Sequence, residues 1–184
     1  MMVTPPGWKK NTETFAFLVA LDISGFSRDI RPNQLLAHRH RFFTAIAEST
    51  LLAAAHGKQL VKIHFLGDEL RLAFHVMNGP RQVRDFIGEV FTSLQSLNTG
   101  VQEVSCTRIK GMVLEGVITW KEWHGCEYLD GELPFKSQRW LKDLQPNQVA
   151  IDMDFRRSLE IDGMSVTQFP KHNFSDETGY LLRS

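Results

Sequence analysis

The run "FAFLVAL", Phe15 to Leu21, constrains the fold of this chain more than any other stretch. An apolar run bounded by polar residues before it and a Ser-Gly turn after it predicts a strand buried on both faces, hence a sheet covered by layers on each side. Asp22, the residue that ends the run, is then presented at the mouth of a central strand. Burial alone gives no reason for a carboxylate there.

The elements that follow fix the neighbours of this strand. Between Pro32 and His56 the residues Leu35, Leu36, Phe42, Phe43, Ile46 and Leu52 recur at mostly helical spacing, with Gly57 just past the end, which predicts one long helix. Gln59 to Phe65 and Glu69 to Val76 read as a hairpin whose tip is Gly67-Asp68. Val83, Phe86, Ile87, Val90, Phe91, Leu94 and Leu97 mark a second, amphipathic helix that ends before Asn98. "TRIKGMVLEGVITW", Thr107 to Trp120, is a strand with a bulge expected at Gly111 or Gly116. The order β-α-β-β-α-β is the split βαβ arrangement, so the fold class is α+β with a ferredoxin-like core. The remaining third adds a turn, "HGCEYLDGELP", a short helix around Phe135 to Leu144, a strand, "QVAID", and a two-stranded finish, "MSVTQF" and "GYLLRS". A single domain over 15–184, preceded by a flexible lead over 1–14, accounts for the whole chain.

Composition narrows the partners. Lys plus Arg and Asp plus Glu are 21 each, a balance that gives no broad electrostatic footprint for nucleic acid. Cys106 and Cys126 are too few for a disulfide framework, which suits a reducing cytoplasm. No stretch approaches the ~20 apolar residues of a membrane helix, so no membrane partner is expected.

In the split βαβ order the first strand lies beside the hairpin, which brings Asp22 towards Asp68. With no cationic partner in either turn, two such carboxylates repel unless a cation sits between them, and hard oxygen ligands suit Mg²⁺ or Mn²⁺. Taken singly, Asp22 also fits a turn residue, Arg139 a solvated helix position, Lys171 a surface lysine and His64 a half-buried strand residue. Tyr128 and Phe135 also fit plain packing, which is slightly favoured for Phe135. His38 and His40 in "AHRHRFF" point in different directions on a helix, which reads as a solvated or dimer-facing surface. Trp8, Trp120, Trp123 and Trp140 show no regular spacing and read as packing.

Four motifs in order, "DISGFS", "KIHFLGDEL", "RIKGMVLEG" and "LDGELPFKSQRWLKDLQPNQVAID", make the chain resemble the catalytic domain of class III nucleotidyl cyclases from roughly Phe15 to Arg183. The resemblance implies that Asp22, Asp68 and the Ile23 carbonyl hold two divalent cations, Mn²⁺ or Mg²⁺. It assigns Arg139 to charge developing in the transition state, and Ser24, Gly25, Phe26 and Lys171 to phosphate. Class III sites form across a dimer interface, so a homodimer with two equivalent sites is implied. The positions that choose the base in that family are His64, Tyr128 and Phe135 here, none of them the residue of an ordinary purine cyclase. Larger side chains narrow the pocket, as a pyrimidine would require, and resemble the stand-alone pyrimidine cyclases of bacterial anti-phage (Pycsar) systems. The expected reaction is UTP to cyclic UMP plus pyrophosphate, with a cytidylate cyclase or an atypical adenylate or guanylate cyclase as alternatives. A diguanylate cyclase shares the echo "FLGDEL" but needs a doubled glycine where Leu66-Gly67 stands. A catalytically silent nucleotide-binding module has no reason to keep Asp22, Asp68 and Arg139 together.

Overall fold

The run at Phe15 becomes strand β1 (Glu13–Ile23) of the computed structural model, which describes residues 8–25, 34–166, 169–174 and 177–183. The other strands are β2 (Val61–Leu66), β3 (Glu69–His75), β4 (Ile109–Trp123), β5 (Cys126–Asp130), β6 (Val149–Ile151), β7 (Lys171–Asn173) and β8 (Thr178–Arg183). They form one sheet ordered β2-β3-β1-β4-β6-β8-β7, with β5 added to the far end of β4. β1 is antiparallel to both β3 and β4, as the split βαβ order requires.

Alternation along β1 divides the core. Phe17, Val19, Leu21 and Ile23 join one buried cluster with α1 (Leu35–Ala47), α3 (Pro80–Leu97) and α5 (Met153–Ile161), through Phe42, Phe86 and Phe155. Ala16, Leu18 and Ala20 join a second cluster with α4 (Glu132–Asp143), through Trp140 and Leu141. Both faces are covered, which is why the run is continuous rather than alternating. By the same alternation Asp22 belongs to the second face, termed the front here.

Several expectations need correction. The long helix is two helices, α1 and α2 (Thr50–Gly57), and Gly57 ends the second from within. Ser49 breaks them: its backbone is extended, its hydroxyl accepts from Leu52 N at 3.4 Å, and it donates to Glu89 Oε2 at 2.7 Å. Glu89 also accepts from Thr50 N at 3.1 Å, so a hydroxyl and a carboxylate satisfy the new helix start. Pro32 lies outside the described residues. No bulge forms at Gly111 or Gly116, because β1 and β4 pair in unbroken register from Glu13–Thr119 to Ile23–Ile109. Gly111 serves close approach instead, since a Cβ there would stand 2.5 Å from Leu21 Cδ2 and 2.8 Å from Ala20 O.

The segment expected as a turn contains β5, hairpinned to β4 through His124-Gly125. "MDFRRSLEI", which was not assigned, is helix α5, capped by Asp152 accepting from Phe155 N at 2.9 Å. The partner of β8 is β7 rather than "MSVTQF", whose described residues lie outside any strand. Trp8 is buried and Asn11 N donates to Trp120 O at 2.8 Å, so packed chain reaches further forward than the lead over 1–14 allowed. His38 is buried against Thr107, Nδ1 to Oγ1 at 3.0 Å, and only His40 has the solvated position expected of both.

Candidate active site

At the exit of β1, Asp22 pairs in register with Glu69 of β3 on one side and Lys110 of β4 on the other. The β2–β3 turn is two residues long, and Gly67 at φ 70° supplies the positive dihedral such a hairpin needs. Ile23 N donates to Asp68 O at 3.3 Å, which brings the two aspartates onto touching backbone. Arg39 of α1 clamps the same turn, donating from Nη2 to Gly67 O at 2.7 Å. Beyond β1, Ser24 N donates to Arg108 O at 2.9 Å, and Gly25 turns the chain at φ 76°. The Ser24 hydroxyl is enclosed without a hydrogen-bond partner among the described residues. Phe26, the next expected phosphate contact, lies outside the described residues.

The carboxyl of Asp22 is pushed up to about 6, by burial first and by the charge of Asp68 second, against the opposing pull of Lys110. Neither turn supplies a cation to Asp22, as expected, but a strand does: Lys110 Nζ stands 3.6 Å from Asp22 Oδ2. It came from β4, a strand distant in sequence, and only the register reveals it. No group of three or more His, Cys, Asp or Glu among the described residues is placed to hold a metal. Asp22, Asp68 and the backbone carbonyl of Ile23 are hard oxygen groups, the chemistry that Mg²⁺ or Mn²⁺ prefers. The raised carboxyl marks a charge conflict that a divalent cation would relieve.

Arg139 lies on α4 over the front, whereas Lys171, paired with Tyr180 of the first cluster, sits at the sheet edge on the opposite face. Arg139 is exposed on α4, beside Trp140, whose ring stacks on Phe174 at 3.8 Å and 5°. Phe174 follows β7, where Lys171 is exposed and paired with Tyr180. Lys136 of α4 reaches Asp152 at 3.7 Å and also pairs with Glu177, fastening this region to α5 and β8. Leu133 of α4 packs where a Cβ on Gly116 would stand, at 3.3 Å, and Gly116 pairs with Ala16. From there α4 runs back towards the Asp22 end of the sheet, where Asn147 N donates to Ile109 O and Gly111 N to Gln148 O just after the helix. One chain holds Asp22, Ile23, Ser24, Gly25 and Asp68 together at one end of the sheet, while Arg139 lies on α4 and Lys171 on the edge strand β7.

The expected base contacts do not converge. His64 sits on β2 directly opposite Arg71, its Nδ1 is enclosed without a partner, and burial followed by the Arg71 charge pushes its pKa down. Tyr128 pairs with Lys121, one position off the buried Trp120–Leu129 pair, so alternation turns it to the other face of the β4–β5 hairpin. Phe135 is 64% exposed on α4, which corrects the packing reading slightly favoured for it. Lys110, Arg71 and Lys136 were missed because each gains its meaning from a cross-strand or cross-layer neighbour.

No protein-family profile and no curated relative matches this sequence. The fold is that of class III adenylyl and guanylyl cyclase domains. Among solved structures the chain is similar to the guanylyl cyclase Cya2, with TM-score 0.71 and 13% identity over 94% of this chain and 93% of that one. It is similar to the guanylyl cyclase domain of the RhoGC fusion protein from the aquatic fungus Blastocladiella emersonii, with TM-score 0.67 and 16% identity, covering 96% of this chain and 100% of that one. The adenylyl cyclase CyaB from P. aeruginosa aligns with TM-score 0.66 and 11% identity over 94% and 96%. No described helix is long and apolar enough to cross a membrane.

Proposed function

We propose that this protein is a nucleotide cyclase that converts a nucleoside triphosphate, preferably UTP, to its 3′,5′-cyclic monophosphate and pyrophosphate. The observation that carries the reading is the meeting of Asp22 and Asp68 through the Ile23–Asp68 backbone contact, at the end of a sheet with the cyclase-domain fold. Asp22, Asp68 and the Ile23 carbonyl would hold Mg²⁺ or Mn²⁺. Two such ions would neutralise the α-phosphate and the departing pyrophosphate and favour the 3′-alkoxide. The chain's own groups do the rest. The Gly25 N–H and the Ser24 hydroxyl, the latter unpartnered among the described residues, serve phosphate oxygens, Lys171 adds charge to the triphosphate, and the planar guanidinium of Arg139 meets charge that grows in the transition state.

As the resemblance to class III sites implies, a complete site takes the carboxylates from one protomer of a homodimer and Arg139 from its partner. The pyrimidine preference rests on the residue types His64, Tyr128 and Phe135 at the base-choosing positions of the family that the sequence resembles, and not on a pocket formed by the three within one chain. The resemblance to stand-alone pyrimidine cyclases extends this reading to a cytoplasmic role in antiviral signalling through a cyclic pyrimidine nucleotide.

A silent nucleotide-binding module draws support from the 3.6 Å approach of Lys110 to Asp22. An ion pair able to replace a metal would hold Asp22 below its ordinary range, whereas this one sits near 6. Incubation of the protein with each of the four ribonucleoside triphosphates and Mn²⁺, with products identified by mass spectrometry, is the test. Cyclic UMP from UTP is expected. A cyclic product from ATP or GTP alone would remove the pyrimidine preference, and no cyclic product from any would remove the enzyme.

A further inference from the structure

Arg71 stands between His64 on β2 and Ala20 on β1, on the front face, with only 7% of its surface exposed. Its Nε donates to Glu69 Oε1 at 2.5 Å. Its terminal nitrogens make no hydrogen bond among the described residues, yet they are not among the enclosed unpartnered atoms, so they keep a path to the surface. A guanidinium enclosed on its other sides, with its terminal N–H groups unpaired among the described residues and reachable from outside, is placed to meet an incoming acceptor. The neighbours say what kind. Glu69 already neutralises the charge, and Asp22 lies in the next row of the same face, so an anion gains little there.

We infer that Arg71 selects the nucleobase, donating from its terminal N–H groups to the C4 carbonyl of uracil or the C6 carbonyl of guanine, and so favouring these keto bases over cytosine and adenine, which carry an amino group at that position. The ligand class rests on the cyclase reading; the choice among bases does not. In uracil and guanine a ring N–H lies beside that carbonyl, and the neutral imidazole of His64 is positioned next to Arg71 to accept from it. An exocyclic amino group in place of the carbonyl sets donor against donor.

Equilibrium binding of UTP, GTP, CTP and ATP to the full chain tests this, with Ca²⁺ replacing Mn²⁺ so that no turnover intervenes. The wild type is expected to hold at least one keto nucleotide about ten-fold tighter than CTP and ATP, and Arg71→Met to bring the ratio near one by weakening the keto nucleotide alone. Arg71→Lys, which keeps the charge but not the fork, loses most of the preference. Should the variants fold poorly by circular dichroism, the unaltered protein gives the same information: its best-bound keto nucleotide is compared with the analogue lacking that carbonyl, and about ten-fold weaker binding is expected. No keto preference, an equal loss for all four nucleotides in Arg71→Met, or no binding of any overturns the inference. Discrimination without any cyclic product in Mn²⁺ leaves it standing and removes the cyclase. Cyclic product with a preference unmoved by Arg71→Met does the reverse.

Discussion

The half-buried Asp22 and the buried Asp152 are both carboxylates pushed up to about 6, with burial the first cause in each, yet their surroundings differ. Asp152 is met by Phe155 N at 2.9 Å, by Glu115 N at 3.2 Å and by Lys136 at 3.7 Å. All three favour its charge, so the fold itself answers that carboxylate and uses it to cap α5. Asp22 has Lys110 at 3.6 Å, but Asp68 and Glu69 act against it. Burial of a charge is tolerable when its partners come from the same fold. Where they do not, the conflict marks a place for something from outside.

The largest expected effect of breaking this comparison is catalytic. Asp22→Asn or Asp68→Asn should lower the rate of cyclic-product formation by about 10³-fold or more, since bound metal supplies several kcal/mol, while thermal unfolding shows Asp22→Asn no less stable than wild type. Asp152→Asn should keep the rate within a few-fold. A stability loss in Asp22→Asn equal to that of a core truncation would erase the distinction between the two aspartates. Next comes Arg139→Ala, expected to reduce turnover by ~10²-fold with the fold intact by circular dichroism.

The third effect is on stability. A carboxyl whose folded pKa is raised contributes stability that is present below its unfolded pKa, here near 4, and lost as pH rises through about 6. The difference in unfolding free energy between wild type and Asp152→Asn should therefore shift by about 2–3 kcal/mol over that window, against the wild type as pH rises. Denaturant titrations at pH 4 and pH 7 read it, and a pH-independent difference contradicts it. The smallest effect is at Lys110. Lys110→Met removes a cation that competes for Asp22, so Mn²⁺ should bind several-fold tighter by calorimetry, an effect of about 1 kcal/mol; weaker binding would assign Lys110 to ligand support.

The fold was legible where one-dimensional pattern and burial coincide. α3 runs over Pro80–Leu97 as its apolar spacing predicted, and the β2–β3 turn sits at Gly67-Asp68. The pairing of Asp22 with Asp68 was legible because the split βαβ order dictates adjacency. The break at Ser49 was not, because it depends on Glu89 arriving from α3, and propensity across "AESTLLAAAHG" favours one helix. Helix α5 escaped notice because its apolar positions are few, Phe155 and Leu159 being the buried ones. Lys110, Arg71 and Lys136 are ordinary residues in sequence, and only strand register and layer packing set them beside their partners.

The central claim is that the carboxylate set and Arg139 of one chain belong to different sites, each completed by a second copy. Mixing Asp22→Asn with Arg139→Ala, each silent alone, tests it directly. Random pairing puts one intact site in half of the dimers, so mixed protein should recover about a quarter of wild-type cyclisation, measured as cyclic nucleotide formed per protomer. Activity of the mixture no greater than the sum of the two variants would contradict a site shared between protomers.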